Sequence, residues 1–428
     1  MTRFQVRVVV ICLLVNMADG FDVLVMSFTS IGVGDEWGLS GSELGVLLSS
    51  GLVGMAVGSL FIAPLADRVG RRKLTLACIL VCCLGLVLSA LTPNWEMLAV
   101  FRAITGLGIG GMLASVGVLV AEYSNDRRRS TAIGLFSAGY PIGGAVGGAI
   151  AAVLISSFGW RSAFWFGAAV TGVLAVLVWR FIPESLDFLA GKRPAGALEK
   201  VNDLLRRMGR EEVSELPPTR ERAEGDHEGA LLRGGAALRT VLLCVAYTLL
   251  AAGFYFVATW TPRLLQSSGL SAEQGISGAV LISVGGIVGA LAFSLLATRF
   301  NANLLTVALL VLGAVLMGLF GLSTGNLVLS LVAGVGLGLT LNGAIAGMYA
   351  ITPTYYSAQS RATALGWVIG FGRLGAIVAP LLVGVLVDGG WDPADIYYLF
   401  VLPVLLAAVA VALVRSNKSS RAAEPARV

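Results

Sequence analysis

Charged residues are scarce in this chain. Asp, Glu, Lys and Arg fill 13% of 428 positions, about half the share of a soluble domain. That excludes a soluble enzyme, and it excludes a nucleic-acid binder despite the net charge of +5. Low polarity also excludes disorder. Histidine is nearly absent: His227 is the single one, in a charged segment, and it reads as a solvated loop residue. The five cysteines, Cys12, Cys78, Cys82, Cys83 and Cys244, all lie inside apolar runs. They read as small buried hydrophobes, with neither a disulfide framework nor metal-ligand spacing. No metal and no cofactor are expected. Nor is a cleavable signal peptide, since the first apolar run starts at once and is too long for one. What the chain has in quantity is apolar residues, 57%, and 55 glycines. Small residues let membrane helices approach closely.

A bilayer core about 30 Å thick takes about 20 apolar residues in a helix. Twelve stretches qualify, at 6–32, 42–66, 74–92, 97–121, 131–156, 162–182, 238–262, 275–298, 303–323, 326–352, 363–387 and 395–415. Between the sixth and seventh, Glu184 to Leu238 is dense in charge of both signs and carries Pro194, Pro217 and Pro218. It reads as a solvated connector with a short amphipathic helix over Ala197–Met208. The expected fold is therefore an all-α membrane protein of twelve transmembrane helices in two six-helix pseudo-repeats. Its parts are an N-terminal bundle (1–183), a cytoplasmic linker (184–237), a C-terminal bundle (238–415) and a cytoplasmic tail (416–428). Short loops on one side carry Arg3, Arg7, Arg68, Arg71, Arg72, Lys73, Arg127, Arg128, Arg129, Arg299 and Arg361. Those on the other side carry only Arg161 and Arg263 among acids such as Asp35, Glu36, Glu273 and Asp388. The positive-inside rule then places both termini and the linker in the cytoplasm.

The halves resemble each other. G-S-L-F-I-A-P-L-A-D-R-V-G-R-R-K at Gly58–Lys73 returns about 231 residues later as G-A-L-A-F-S-L-L-A-T-R-F-N-A-N from Gly289. Arg68 aligns with Arg299, whereas Thr298 replaces Asp67 and Asn301 replaces Gly70. R-S-T-A-I-G at Arg129–Gly134 recurs as R-A-T-A-L-G at Arg361–Gly366. Parallel six-span repeats are a common plan for secondary transporters, with the substrate site where the repeats meet.

Four charges fall inside spans: Asp19 and Asp22 in the first, Arg102 in the fourth and Arg373 in the eleventh. Each costs at least about 2.5–3.5 kcal/mol at a helix centre, so each needs a partner, water or a function. Asp19 and Asp22, three residues apart, share one helix face. Two such neighbours cannot both carry charge cheaply, so at least one is expected to hold a proton near neutral pH. That is proton-carrier chemistry, with Asp19 the first choice. The alternative is an Asp permanently paired with an Arg, Asp22 with Arg102 in particular. Arg373 has Pro141 as its first-half counterpart, so its charge is no relic of the repeat. A permanent guanidinium at that place suits a carboxylate substrate; the alternative is a salt bridge to Asp19 or Asp22.

Phe21, Tyr140, Phe254, Tyr255, Trp260, Tyr349 and Trp367 lie near these charges and together suit an aromatic ring, though each alone reads more readily as lipid-facing or ordinary packing. The loop Pro64–Lys73 carries Asp67 on a side where acids are otherwise rare. Asp67 can accept hydrogen bonds from Arg71 and from the start of the eleventh span near Ala362. With Arg68, Gly70, Glu122, Arg129 and Arg361 it forms an expected conformational latch. The G-G-x-x-G-G at Gly143–Gly148 reads as helix packing.

Gly58–Lys73 resembles the signature loop of the major facilitator superfamily. D-G-F-D at Asp19–Asp22, R-A-I-T-G-L-G-I-G-G from Arg102, A-E-Y at Ala121–Tyr123, P-E-S-L-D-F-L from Pro183 and G-W-V-I-G-F-G-R-L-G-A-I at Gly366–Ile377 are similar to its aromatic acid:proton symporter family. The resemblance covers nearly the whole chain. It implies the major facilitator fold and import of benzoate-like or related acids with protons. It also implies that Asp19 and Asp22 are needed for transport and that Arg373 lies in the binding region. The second signature loop is degenerate, and the sugar-porter motif after the twelfth span is absent.

The expectation is thus a proton-coupled importer of a small organic acid, in the bilayer of a bacterial inner membrane, not an enzyme, with protons and the acid as partners and no demand for an oligomer. Two rivals stand beside it: a proton-coupled exporter of drugs or metabolites, and a transporter-like nutrient sensor acting through the linker.

Overall fold

The computed structural model describes residues 1–125, 127–216, 235–323, 325–357 and 360–414. His227, Pro217, Pro218 and the 416–428 tail lie outside the described residues. Among those described are twelve helices long and apolar enough to cross a membrane, and no strand. Spans 1 to 12 are Arg3–Trp37, Gly41–Val69, Arg71–Ala90, Trp95–Tyr123, Arg129–Phe158, Arg161–Phe181, Ala236–Ser267, Ala272–Leu296, Ala302–Ser323, Leu327–Tyr355, Thr363–Asp388 and Pro393–Leu413.

The helices run past the apolar stretches because their ends are set by capping. Span 1 starts at Arg3 because Thr2 and Gln5 form a capping box: the Thr2 amide donates to Gln5 Oε1 at 2.9 Å and the Gln5 amide to Thr2 Oγ1 at 3.3 Å. It stops at Gly38, whose φ of 62° suits a residue without a Cβ. Ser40 with Glu43 opens span 2 in the same way, and Asn94 and Asn326 cap spans 4 and 10. Near its end, span 2 passes through a π turn, Gly58–Ile62, and a 3-10 turn, Ala63–Leu65. Pro64 lacks the amide that a regular ladder needs there.

By packing, the chain divides into two compact units. Unit 1 is Met1–Glu224, Ala258–Val284 and Pro380–Trp391; unit 2 is Gly225–Val257, Gly285–Ala379 and Asp392–Val428. They share most of their chain with the two expected bundles, but spans 7, 8 and 11 are each divided between them.

The internal repeat is visible within each unit as matching backbone approaches. In unit 1 a Cβ on Gly54 would run into the carbonyl of Ala103, one on Gly58 into that of Leu107, and one on Gly143 into that of Met17. In unit 2 the equivalent positions do the same: Gly285 against Val335, Gly289 against Leu339, and Gly375 against Thr248. Glycine is required at these crossings because no side chain fits between the two backbones. Gly143, from the G-G-x-x-G-G stretch, is thereby a packing residue.

The connector begins with two short helices. Leu186–Lys192 is capped by Ser185, and Ala197–Arg207 buries Ala197, Val201 and Leu204 on one face. The second is the amphipathic helix expected from sequence. Thr2 Oγ1 donates to the Arg207 carbonyl at 3.0 Å, tying this helix to the start of span 1.

Candidate functional site

Within unit 1, span 1 presents Asp19 and Asp22, and both are 2% exposed, as is Arg102 of span 4. The Arg102 guanidinium donates from Nη2 to the main-chain carbonyl of Asp22. It also lies 5.9 Å from the centre of the Phe164 ring, a distance at which the ring face attracts a cation. Gly51 of span 2 and Gly167 of span 6 complete the enclosure. A Cβ on Gly51 would stand 3.6 Å from Arg102 Nη2, and one on Gly167 3.5 Å from Asp22 Oδ1. A small cavity beside the guanidinium is lined by Val23, Met26, Leu52 and Ile109 among others.

The hydrogen-bond inventory is incomplete in a telling way. Both carboxylate oxygens of Asp19, Oδ1 of Asp22, and Nε and Nη1 of Arg102 are buried with no partner among the described residues. The pairing anticipated between Asp22 and Arg102 therefore uses the backbone of Asp22. A buried unpartnered polar group costs about 1–3 kcal/mol, and more if charged. Thr105 Oγ1 donates to its own helix at Phe101 O, 2.9 Å, and Cys82 Sγ to Thr105 O, 3.4 Å, so neither serves the acids. The chemistry that fits is a cluster able to gain or lose a proton: two acids and one fixed cation, all buried.

Unit 2 holds a different cluster. Arg373 of span 11 acts electrostatically on Tyr247 of span 7 and Tyr349 of span 10, as does Tyr255. The Tyr247 and Tyr349 hydroxyls are 2.8 Å apart. The Tyr255 ring meets Phe254 edge-on, 5.2 Å between centres. One cation with phenols around it can hold a planar anion.

The structure gathers some of the anticipated aromatic residues and not others. Tyr255 and Tyr349 join Arg373 in unit 2. Trp367 packs on Phe371 at 6.2 Å in the same span. Phe21 is buried against Gly147 and the Phe166 ring. The main chain of Tyr140 lies against Gly20 where spans 1 and 5 cross. Trp260 is wholly buried, and its one donor is used on the Pro380 carbonyl at 3.1 Å. Tyr247 carried no sequence signal, being one aromatic in an apolar run.

The anticipated latch residues centre on Arg71. Its guanidinium pairs with Glu122 and approaches Ser185 Oγ at 3.1 Å. Glu122 also accepts from Ser185 Oγ at 2.8 Å and from the Leu186 amide at 2.9 Å. Asp67 is more peripheral: it stands 3.9 Å from Arg71 with a half-exposed side chain, a geometry worth little in water. Glu184, part of the P-E-S-L-D-F-L motif, is a further member of this network. Its Oε1 accepts from the amides of Arg72 and Ser185, both at 3.0 Å. The carboxylate thus sits on the N-terminus of span 3, where backbone donors and the helix dipole favour an anion. Gly70, with φ 107°, is the N-cap of that helix, and a Cβ there would strike the Glu184 carboxylate. Arg129 caps the end of span 4 through Ala121 O at 3.0 Å, and Arg361 donates to Tyr356 O at 3.2 Å. Arg68 is exposed. The side chain of Ala362 lies outside the described residues.

At the opposite ends of the unit 1 helices a second polar set appears. Arg263 pairs with Asp35 at 2.8 Å and Arg161 with Glu36 at 2.7 Å. Asp388 accepts from the amides of Gly41 at 2.6 Å and Ser42 at 2.8 Å, occupying the N-terminus of span 2.

Comparison with known proteins adds three findings. The family model described as Major Facilitator Superfamily matches residues 10–345 and 296–428. The chain is 31% identical to the 4-hydroxybenzoate transporter PcaK of Acinetobacter baylyi, across 96% of this chain and 91% of that protein. It is 33% identical to the gallate transporter of Pseudomonas putida, across 95% and 91%. Among solved structures it resembles the partially occluded inward-open conformation of the xylose transporter XylE from E. coli. The TM-score is 0.77 at 16% identity, covering 97% of this chain and 99% of that one; this likeness concerns the fold alone.

Proposed function

The chain belongs to the Major Facilitator Superfamily, and from that premise we infer that it imports an aromatic carboxylic acid together with protons, by alternating access. It is a multi-pass membrane transporter and not an enzyme. The acid is of the benzoate or hydroxybenzoate type, as the names of the relatives suggest. The observation that carries the reading is that one chain holds both buried carboxylate oxygens without a hydrogen-bond partner among the described residues and an arginine that acts on two phenols. The first suits a proton; the second suits a carboxylate anion.

In the proposed cycle Asp19 and Asp22 take up a proton from the outer side, and the acid docks by its carboxylate at Arg373. The chain then exposes both to the cytoplasm, where the proton and the acid leave. A monoanion with one proton moves no net charge. Each further proton adds about 2.3 kcal/mol of driving force per 100 mV. The Arg71–Glu122–Ser185 network and the Glu184 cap hold one state of the cycle. The protein acts as a monomer in a bacterial inner membrane, with both termini in the cytoplasm, as the distribution of arginine over the short loops argues.

The test is uptake of labelled benzoate and 4-hydroxybenzoate into proteoliposomes carrying the full chain, with the outside made acidic. Accumulation above the level without a gradient is expected, and it should vanish in Asp19→Asn and Asp22→Asn. Gradient-driven uptake that survives both substitutions overturns the coupling assignment. A wild-type protein that ignores aromatic acids overturns the substrate class.

A further inference from the structure

One polar contact in unit 2 exceeds what helix packing asks for. Tyr247 and Tyr349 come from spans 7 and 10, 102 residues apart, and share a hydroxyl contact of 2.8 Å. Their rings are 5.8 Å apart and tilted by 36°. Tyr247 is 8% exposed and Tyr349 42%. The Tyr247 phenol is therefore enclosed, while part of the Tyr349 side chain stays open. Gly372 explains how Tyr247 is held: the ring lies where a Cβ at that position would be, directly beside Arg373 in the chain. The same guanidinium acts electrostatically on both phenols.

Two phenols carry two O–H donors, and their mutual bond uses one. The other donor is left for a third group. Beside a guanidinium, the group that satisfies both is an anion with two acceptor oxygens in a plane. A carboxylate has this form. A ring hydroxyl offers an acceptor but brings no charge to the arginine.

We propose that Tyr349 is the second donor to the carboxylate of the transported acid, alongside Arg373, and that Tyr247 is the positioning residue that fixes the Tyr349 hydroxyl. The proposal rests on the reading of the protein as an aromatic-acid carrier. It assigns the phenol pair to the feature all such acids share, so the pair selects for an ionised carboxyl group and is indifferent to ring substituents.

The experiment compares KM and maximal rate for labelled benzoate and 4-hydroxybenzoate in proteoliposomes of the full chain. Absence of wild-type uptake of either acid overturns the transport reading itself, before any variant is compared. Given wild-type uptake, Tyr349→Phe is expected to raise KM about tenfold for both acids, with the maximal rate kept within about twofold. Tyr247→Phe is expected to act in the same direction, and the double variant to cost no more than Tyr349→Phe alone, because Tyr247 works through Tyr349. A rise confined to 4-hydroxybenzoate overturns the proposal, since the pair then reads the ring hydroxyl. Unchanged KM values, or a fall in maximal rate alone, overturn it as well, since the contact is then structural. Tyr349→Phe decides the matter by itself where Tyr247→Phe lowers the amount of folded protein, because it removes only a hydroxyl from a side chain that is partly open.

Discussion

The two polar clusters of this protein answer opposite problems. In unit 1, Asp19, Asp22 and Arg102 are each 2% exposed, and five of their polar atoms have no partner among the described residues. In unit 2, Arg373 is half-buried and set among hydroxyls that carry no charge of their own. A buried acid changes state by taking a proton, because that removes the charge its surroundings penalise. An arginine keeps its charge at any accessible pH. On the proposed reading, the acid cluster is the part that changes and the phenol cluster the part that stays constant. A symporter needs one of each, since the proton must bind and leave while the anion must always meet a cation.

Variants can break this division of labour, beginning with the largest effect. Asp19→Asn and Asp22→Asn should abolish gradient-driven accumulation and yet leave exchange of labelled for unlabelled acid across the membrane. Exchange that is lost together with accumulation would place the acids in substrate binding and dissolve the contrast. Arg373→Ala should raise KM by about 100-fold, or about 2.7 kcal/mol, as expected for losing a charge-assisted pair. Measured by uptake at high substrate, its maximal rate should partly return. A pure loss of rate would move Arg373 into the machinery of conformational change.

A smaller effect sharpens a second contrast between the units. Asn301, the counterpart of Gly70, caps its own helix: its Oδ1 accepts from the amides of Asn303 at 2.9 Å and Leu304 at 3.3 Å. Gly70 has no side chain to do so, and Glu184 supplies the carboxylate, accepting from the Arg72 amide 112 residues away. Asn301→Ala should cost about 1 kcal/mol, the usual worth of a cap. Gly70→Ala should cost more, about 1–3 kcal/mol, because it adds backbone strain and displaces Glu184. Thermal unfolding in detergent compares the two. Equal losses would mean that the Glu184 cap has no special role.

Much of the fold was legible in the chain. Hydropathy located all twelve spans, because the cost of a polar group in lipid is charged residue by residue and needs no knowledge of neighbours. The repeat was legible as well, and its glycines prove to mark the same helix crossings in each unit. The candidate sites were legible in part. Asp19, Asp22, Arg102 and Arg373 stood out because charge in an apolar run is costly. Tyr247 did not, since a tyrosine in such a run is ordinary. Trp260 looked like a ring-binding residue from its position, whereas the structure gives its indole N–H to Pro380. Asp67 was the conspicuous acid of its loop, yet Glu122 and Glu184 make the closer contacts there. Glu122 was among the expected latch residues, whereas Glu184, 112 positions from the Arg72 amide it accepts from, shows no local pattern that distinguishes it from a solvated acid.

The amino-acid order alone determined that this is a twelve-span membrane protein in two related halves, with four charges kept inside its apolar helices. Those features are sums over neighbouring residues, and neighbours are what a sequence records. Only the tertiary structure decided that Arg102 turns to the backbone of Asp22, that Tyr247 meets Tyr349, and that Glu184 caps a distant helix. These contacts join residues 80, 102 and 112 positions apart. They depend on how each helix is rotated against its neighbours, and packing sets that rotation.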